Sequence, residues 1–189
     1  MALGKQAKVL SDTQQRAVIS FLSTTNDPER NLVMFLLSVD AGLRAKEIAQ
    51  LEWSMVMDSD GSVSEAIRLE DRSSKGRSGG VVYMSKRLRD ALVNLKSVSD
   101  LKWVVESRSG KAMSAQVVTN WFFTLYRKLG FDGCSSHSGR RTAITRWARN
   151  ISRVGGSLRD VQSLARHSSL QMTQRYIEVS EDAMKRVVR

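Results

Sequence analysis

The run Leu32-Val33-Met34-Phe35-Leu36-Leu37 is apolar on every side of a helix drawn through it. A helix with no polar face has to be covered by its neighbours, so this segment is expected to be mostly buried. Asn26-Asp27-Pro28-Glu29 places a capping residue before a proline in the first turn, and Gly42 terminates the run. It is much shorter than the roughly 20 residues needed to cross a bilayer. Met1-Ala2-Leu3-Gly4-Lys5 lacks the apolar region of a signal peptide. A soluble, cytoplasmic protein is expected, with no membrane partner.

Other elements are punctuated in the same way. Ser11-x-x-Gln14 is a capping-box start for a first helix over about Asp12 to Ser23, with Val18, Ile19, Phe21 and Leu22 at helical spacing. Ala45 to Leu51 reads as a short helix that puts Glu47 one turn beyond Arg44. Glu65 to Leu69 and Val81 to Met84 read as strands of a hairpin, and the Ser-, Gly- and Lys-rich segment between them is its loop. Leu88, Ala91, Leu92 and Leu95 form a helical stripe, and a further helix spans about Ala115 to Leu129 and closes at Gly130. Arg141 to Arg149, Leu158 to Arg166 and Glu181 to Val188 are the remaining helices, with Gly155-Gly156 as a break and Ser157 and Ser180 as caps. The fold class is α+β, mainly α-helical, with one small antiparallel sheet.

Lys plus Arg number 30 against 19 Asp plus Glu, a net charge of +11, and the basic residues are spread along the chain. That is the electrostatic footprint of a protein that meets a polyanion, with double-stranded nucleic acid as the leading partner. One cysteine, Cys134, excludes an internal disulfide, and with two histidines there is no cluster at zinc-ligand spacing. No cofactor and no metal are expected. Trp53, Trp103, Trp121 and Trp147 lie near apolar neighbours and read as core or rim packing, with base stacking as the alternative.

His137 and Arg140 are three apart where Gly133-Cys134-Ser135-Ser136 enters a helix, so both can face one anion. Tyr176 lies nine positions after His167. A phenol is a poor nucleophile at neutral pH, with an ordinary pKa of roughly 10. Cations from Arg44 and the His137-x-x-Arg140 cluster around one phosphate would favour its phenolate and offset the charge that builds during attack. The constellation reads as phosphoryl transfer through a covalent tyrosine intermediate.

Four segments carry a wider resemblance: Ala41 to Leu51 around Arg44, Ser74-Lys75-Gly76, His137-Ser138-Gly139-Arg140-Arg141, and Leu164 to Ser169 with Tyr176. In order and spacing they resemble the catalytic domain of the tyrosine recombinase, or phage integrase, family from about residue 10 onward. The resemblance implies that fold over residues 11–189 as a single catalytic domain. Residues 1–10 would be an N-terminal extension, without a separate N-terminal core-binding domain. It implies that Arg44 and Arg140 hold the scissile phosphate while Tyr176 forms a 3′-phosphotyrosyl bond and the 5′-hydroxyl departs. Lys75 resembles the family's general acid, with Arg72 and Arg77 competing for the role on sequence alone. His137 would exchange protons or hydrogen bonds with phosphate and tyrosine, His167 would donate to a phosphate oxygen, and Glu47 would orient the network.

Two positions depart from the family pattern: Arg141 stands where histidine is frequent and Arg166 where glycine is. Both add positive charge and, with Arg72 and Arg77, are expected to contact DNA. The function implied is site-specific DNA recombination or integration without metal or ATP, in a prokaryotic cytoplasm in association with the nucleoid or a mobile element. The alternatives are a type IB topoisomerase-like nicking and closing enzyme, or a DNA-binding regulator that has lost turnover. Partners beyond DNA would be further copies in a tetramer, with the tail Ser180 to Arg189 exchanged between protomers or packed on its own core, and an accessory DNA-binding protein.

Overall fold

The computed structural model describes residues 6–70, 79–98, 102–107, 110–177, 184, 185 and 188. The chain forms two compact units, Met1–Ala143 and Ile144–Arg189. Among the described residues, no helix is long and apolar enough to cross a membrane.

In the first unit, α1 (Asp12–Leu22) opens with a complete capping box. Ser11 Oγ accepts from the Gln14 N–H at 3.2 Å, and Gln14 Oε1 accepts from the Ser11 N–H at 3.0 Å. α2 (Pro28–Val39) is the buried helix expected from its apolar run, with Val33, Met34, Phe35, Leu36 and Leu37 no more than 2% exposed. α1, α3 (Ala45–Ala49) and α4 (Lys86–Ser97) pack against it, and α5 (Ala115–Lys128) packs on α3. Asp27 is the N-cap of α2, but its side chain makes no cap bond. It sits at φ 59° and its carboxylate pairs with Arg30 at 3.0 Å.

Strands β1 (Ala66–Leu69) and β2 (Gly80–Tyr83) form the expected antiparallel hairpin, with Ile67 opposite Val82 on the core side and Arg68 opposite Val81 on the outer side. The hairpin loop with Arg72, Lys75 and Arg77 lies outside the described residues, as does most of the expected tail helix. Isolated bridges pair Glu52 with Trp103, Met57 with Val63, and Glu106 with Ala112. Single bridges have no period to read, so the sequence pattern did not signal them. Trp53 is 5% exposed, and Trp121 and Trp147 are partly buried against apolar clusters, as packing residues should be.

Polar ties cross this unit where helices end. The Asp40 carboxylate, at the C-cap of α2, accepts from Arg87 Nε at 2.6 Å, Arg87 Nη2 at 2.5 Å and Ser85 Oγ at 2.7 Å. Hydrogen bonding to Asp40 holds the Arg87 pKa above its ordinary value. The side chain of Asp40 is 1% exposed, so these bonds are what permit its charge to be buried. Gln15 bonds both Arg87 and the Leu10 carbonyl, and Lys8 and Leu10 are in turn hydrogen bonded to Gly133 and Thr142.

Helix α6 (Ser138–Asn150) begins in the first unit and ends in the second, and it starts earlier than the Arg141 expected from sequence. Its first turn is nucleated by Ser135 and Ser138, each of which uses the other as a hydrogen-bond partner. Gly139 lies flat against Ser38 of α2. A Cβ there would overlap Ser38 Oγ, 2.9 Å from the Ser38 Cβ and 3.1 Å from its carbonyl carbon.

In the second unit a 3-10 turn (Ile151–Val154) and Gly155, at φ 79°, separate α6 from α7 (Leu158–Ala165). Ile144, Val161 and Ala165 form a small core, against which Trp147, Leu158 and Tyr176 pack. α8 (Leu170–Gln174) was not expected, because five residues are too few to show a helical period. Its cap is present in the sequence nonetheless: Ser169 Oγ accepts from the Met172 N–H at 3.4 Å. Arg166 closes α7 in the left-handed region at φ 52°. That explains why a glycine is at home at this position.

Two predictions arise from these contacts. Gly139→Ala should lower stability by about 1–3 kcal/mol through overpacking, although alanine is the better helix former. Adding Ser38→Gly should recover part of the loss, as read from urea midpoints. The Asp160 carboxylate is held below its ordinary pKa, first by the Ser157 backbone N–H and then by the Ser157 hydroxyl. The group is depressed in the folded state, so its capping contribution is present above the unfolded value of about 3.9 and disappears as pH falls through the lower folded value. Amide shifts of Ser157 and Val161 should therefore move together on acid titration, and should lose that dependence in Asp160→Asn.

Candidate active site

Arg44 is the N-cap of α3, with extended backbone at φ −79° and ψ 156°. Glu47, one turn on, uses both carboxylate oxygens to hold it. Oε2 accepts from the Arg44 N–H at 2.8 Å and Oε1 from the guanidinium Nη1 at 2.8 Å. Glu47 is wholly buried, whereas the Arg44 side chain remains 24% exposed. A buried carboxylate therefore anchors the base of the arginine, and charge-assisted bonds of this kind are the strong ones. Glu47 stands one turn beyond Arg44 as expected, and it is buried rather than on the surface.

Arg140 sits on the first turn of α6 and is 4% exposed. Its Nη1 donates to the Gly42 carbonyl at 2.5 Å. Gly42 adopts φ 63°, a left-handed conformation open to glycine, two residues before Arg44. Two arginines far apart in sequence are thus tied to one short loop, Gly42 to Arg44. His137 precedes α6 and is exposed, with its N–H bonded to Ser135 Oγ at 3.3 Å. Arg141 bonds to the Gln6 side chain, and its N–H donates to the His137 carbonyl at 2.9 Å.

The second unit carries His167 and Tyr176. His167 follows the left-handed turn at Arg166 and is 7% exposed. Its backbone is fixed from both sides by Gln162, with the His167 N–H donating to the Gln162 carbonyl and Gln162 Nε2 donating to the His167 carbonyl, each at 3.1 Å. Its ring stacks on Tyr176, with centroids 5.4 Å apart and planes inclined by 25°. Tyr176 follows α8, half-buried, and its carbonyl accepts from Thr145 Oγ1 at 3.3 Å. Arg166 is half-buried beside them in sequence. Thr173, which the sequence did not single out, lies 2.9 Å from His167 Nδ1. Its only signal was a hydroxyl on the segment between His167 and Tyr176, where no regular period operates.

Chemistry separates the three tyrosines. Tyr126 is 1% exposed in the core of the first unit, and burial raises its phenol pKa far above the ordinary value, so it cannot supply a phenolate. Tyr83 lies on the outer side of β2, 69% exposed. Tyr176 alone stacks on a histidine, and Arg175 directly precedes it in sequence. Burial likewise raises the Cys134 thiol pKa, against the lowering effect of a Ser138 hydrogen bond, which fits an inert thiol. Among the described residues, no group of three or more His, Cys, Asp or Glu side chains could hold a metal ion.

Known proteins share this arrangement of sequence and fold. The chain is 29% identical over 180 residues to the tyrosine recombinase XerC of Corynebacterium glutamicum, covering 92% of this chain and 55% of that protein. It is 26% identical over 166 residues to XerC of Leptospira interrogans serovar copenhageni, covering 85% and 50%. The chain thus spans about half the length of these relatives. Among solved structures, XerA recombinase superposes with a TM-score of 0.75 at 20% identity, covering 95% of this chain and 63% of that one. The Tn1549 transposon integrase in complex with a circular intermediate DNA superposes with a TM-score of 0.75 at 14% identity, covering 98% and 66%. These structural likenesses establish the fold, a helical domain with a small antiparallel sheet. The model of the phage integrase family matches residues 8–182, and the chain belongs to that family.

Proposed function

We propose that this chain is the catalytic part of a site-specific DNA recombinase that cleaves and rejoins duplex DNA through Tyr176. The observation that carries the reading is the pair of arginines, Arg44 and Arg140, tied to the single loop Gly42 to Arg44. Two guanidinium groups offered from one place match the non-bridging oxygens of a phosphodiester, which a bidentate fork binds better than a point charge does.

In the proposed reaction the Tyr176 oxygen attacks phosphorus in line with the departing 5′-oxygen. The phosphorus–oxygen bond to the 5′ carbon breaks, a 3′-phosphotyrosine forms, and Lys75 supplies the proton that makes the leaving group a 5′-hydroxyl. His137, exposed beside Arg140, exchanges the proton lost by the phenol, and His167 donates to a phosphoryl oxygen. The charge of the transition state is offset by the arginines, the lysine and the histidines, so neither a metal nor ATP is required. The phosphotyrosine retains the energy of the broken bond, and a second 5′-hydroxyl reverses the step. A net charge of +11 supports a duplex DNA partner. Assembly of several copies on DNA, and an accessory DNA-binding protein, belong to the same proposal.

A nicked suicide duplex tests the nucleophile. Wild-type protein should accumulate a covalent adduct stable to denaturant in the presence of EDTA and without nucleotide, and Tyr176→Phe should form none. An adduct in the phenylalanine variant would place the nucleophile elsewhere, and relaxation of single-site plasmid without strand exchange would favour a topoisomerase. Arg44→Ala and Arg140→Lys should each slow cleavage by at least about 100-fold while duplex binding falls only a few-fold. Equal losses of binding and cleavage would make them general backbone contacts.

A further inference from the structure

His167 has a fixed backbone, a stacked ring face and one ring nitrogen, Nδ1, placed 2.9 Å from Thr173 Oγ1. The hydrogen bond between these atoms can run in two directions, with opposite consequences for the other ring nitrogen. If Nδ1 carries the proton, neutral Nε2 is an acceptor. If the threonine hydroxyl donates to Nδ1, the imidazole proton sits on Nε2, which becomes a donor.

Burial decides between them. Thr173 is 0% exposed, and its hydroxyl meets no other acceptor among the described residues. Were Nδ1 the donor, the hydroxyl proton would be sealed in the unit with nothing to bond to, and an unmade buried donor costs its full desolvation. Donation from Oγ1 to Nδ1 satisfies both groups at once. We infer that Thr173 is a positioning residue that fixes the tautomer of His167, holding its Nε2 as the N–H donor that the proposed reaction requires of it.

This inference rests on the proposed recombinase reading for its functional meaning but not for its chemistry. A neutral imidazole locked as a donor can bond a phosphoryl oxygen throughout the reaction and does not take up the phenol proton. The two histidines then have separate work: His137, exposed, handles protons, and His167, buried, supplies a fixed dipole. The distinction comes from Thr173, a residue that touches neither phosphate nor tyrosine oxygen in this scheme.

Because the chain has only two histidines, nitrogen-15 NMR of the imidazoles can assign the tautomer in the intact protein. At pH 8, His167 should show a pyridine-like Nδ1 and a protonated Nε2; a pyrrole-like Nδ1 would overturn the proposal. Thr173→Val keeps the side-chain shape without the hydroxyl, and should shift Nδ1 downfield and slow suicide-substrate cleavage by about tenfold. Thr173→Ser should restore both to within about twofold, as expected for return of the same hydrogen bond. Unchanged Nδ1 shift and cleavage in the valine variant would reduce Thr173 to packing. If wild-type protein formed no adduct at all, the recombinase reading would fail while the NMR result still decided the tautomer.

Discussion

Gly139 against Ser38 is the contact that sets where Arg140 stands in the first unit. Arg140 can reach the Gly42 carbonyl only because the first turn of α6 lies against α2 with no side chain between them. Interiors pack at crystal-like density, so a methyl group at this point would be felt as displacement rather than absorbed by slack. The displacement would act on Arg140, the next residue along. The apolar run of α2 therefore does more than form a core. It provides the rigid wall against which the start of α6 is measured, and the loop after α2 carries Arg44 to the same place.

The electrostatic design in this unit works by anchoring charge at its root. Arg44 would be a mobile surface side chain if Glu47 were exposed, since surface ion pairs contribute little. With Glu47 wholly buried, the pair has one fixed end and one accessible end. Arg140 is anchored differently, by a backbone carbonyl that a left-handed glycine turns toward it. In the proposed reaction both devices would lower the entropy lost on gripping a phosphate, because the arginines are ordered beforehand.

Much of this was legible in residues with strong local rules. The capping box at Ser11 and Gln14, the buried run of α2, the hairpin strands and the stops at Gly130 and Gly155 follow from caps, periodicity and glycine conformations that act within a few residues. The spacing of His167 and Tyr176 announced a pair, and the structure stacks their rings. What could not be read depends on partners distant in sequence or on elements too short to show a period. The Arg140 bond to Gly42, the contact of Gly139 with Ser38, the Asp40 tie to Arg87 and the five-residue helix α8 are of that kind. The burial of Glu47 could not be read either, since a glutamate one turn after an arginine fits a surface as well as a core.

Arg166 has a consequence for the segment that follows it. A residue with a Cβ in the left-handed region costs roughly 1–2 kcal/mol relative to right-handed backbone, a penalty glycine would escape. The same Cβ denies the peptide most of the rotations glycine would allow, so the link entering His167 has a narrow basin in which to move. The second unit thus gives up some stability at Arg166 in return for a stiffer entry into His167.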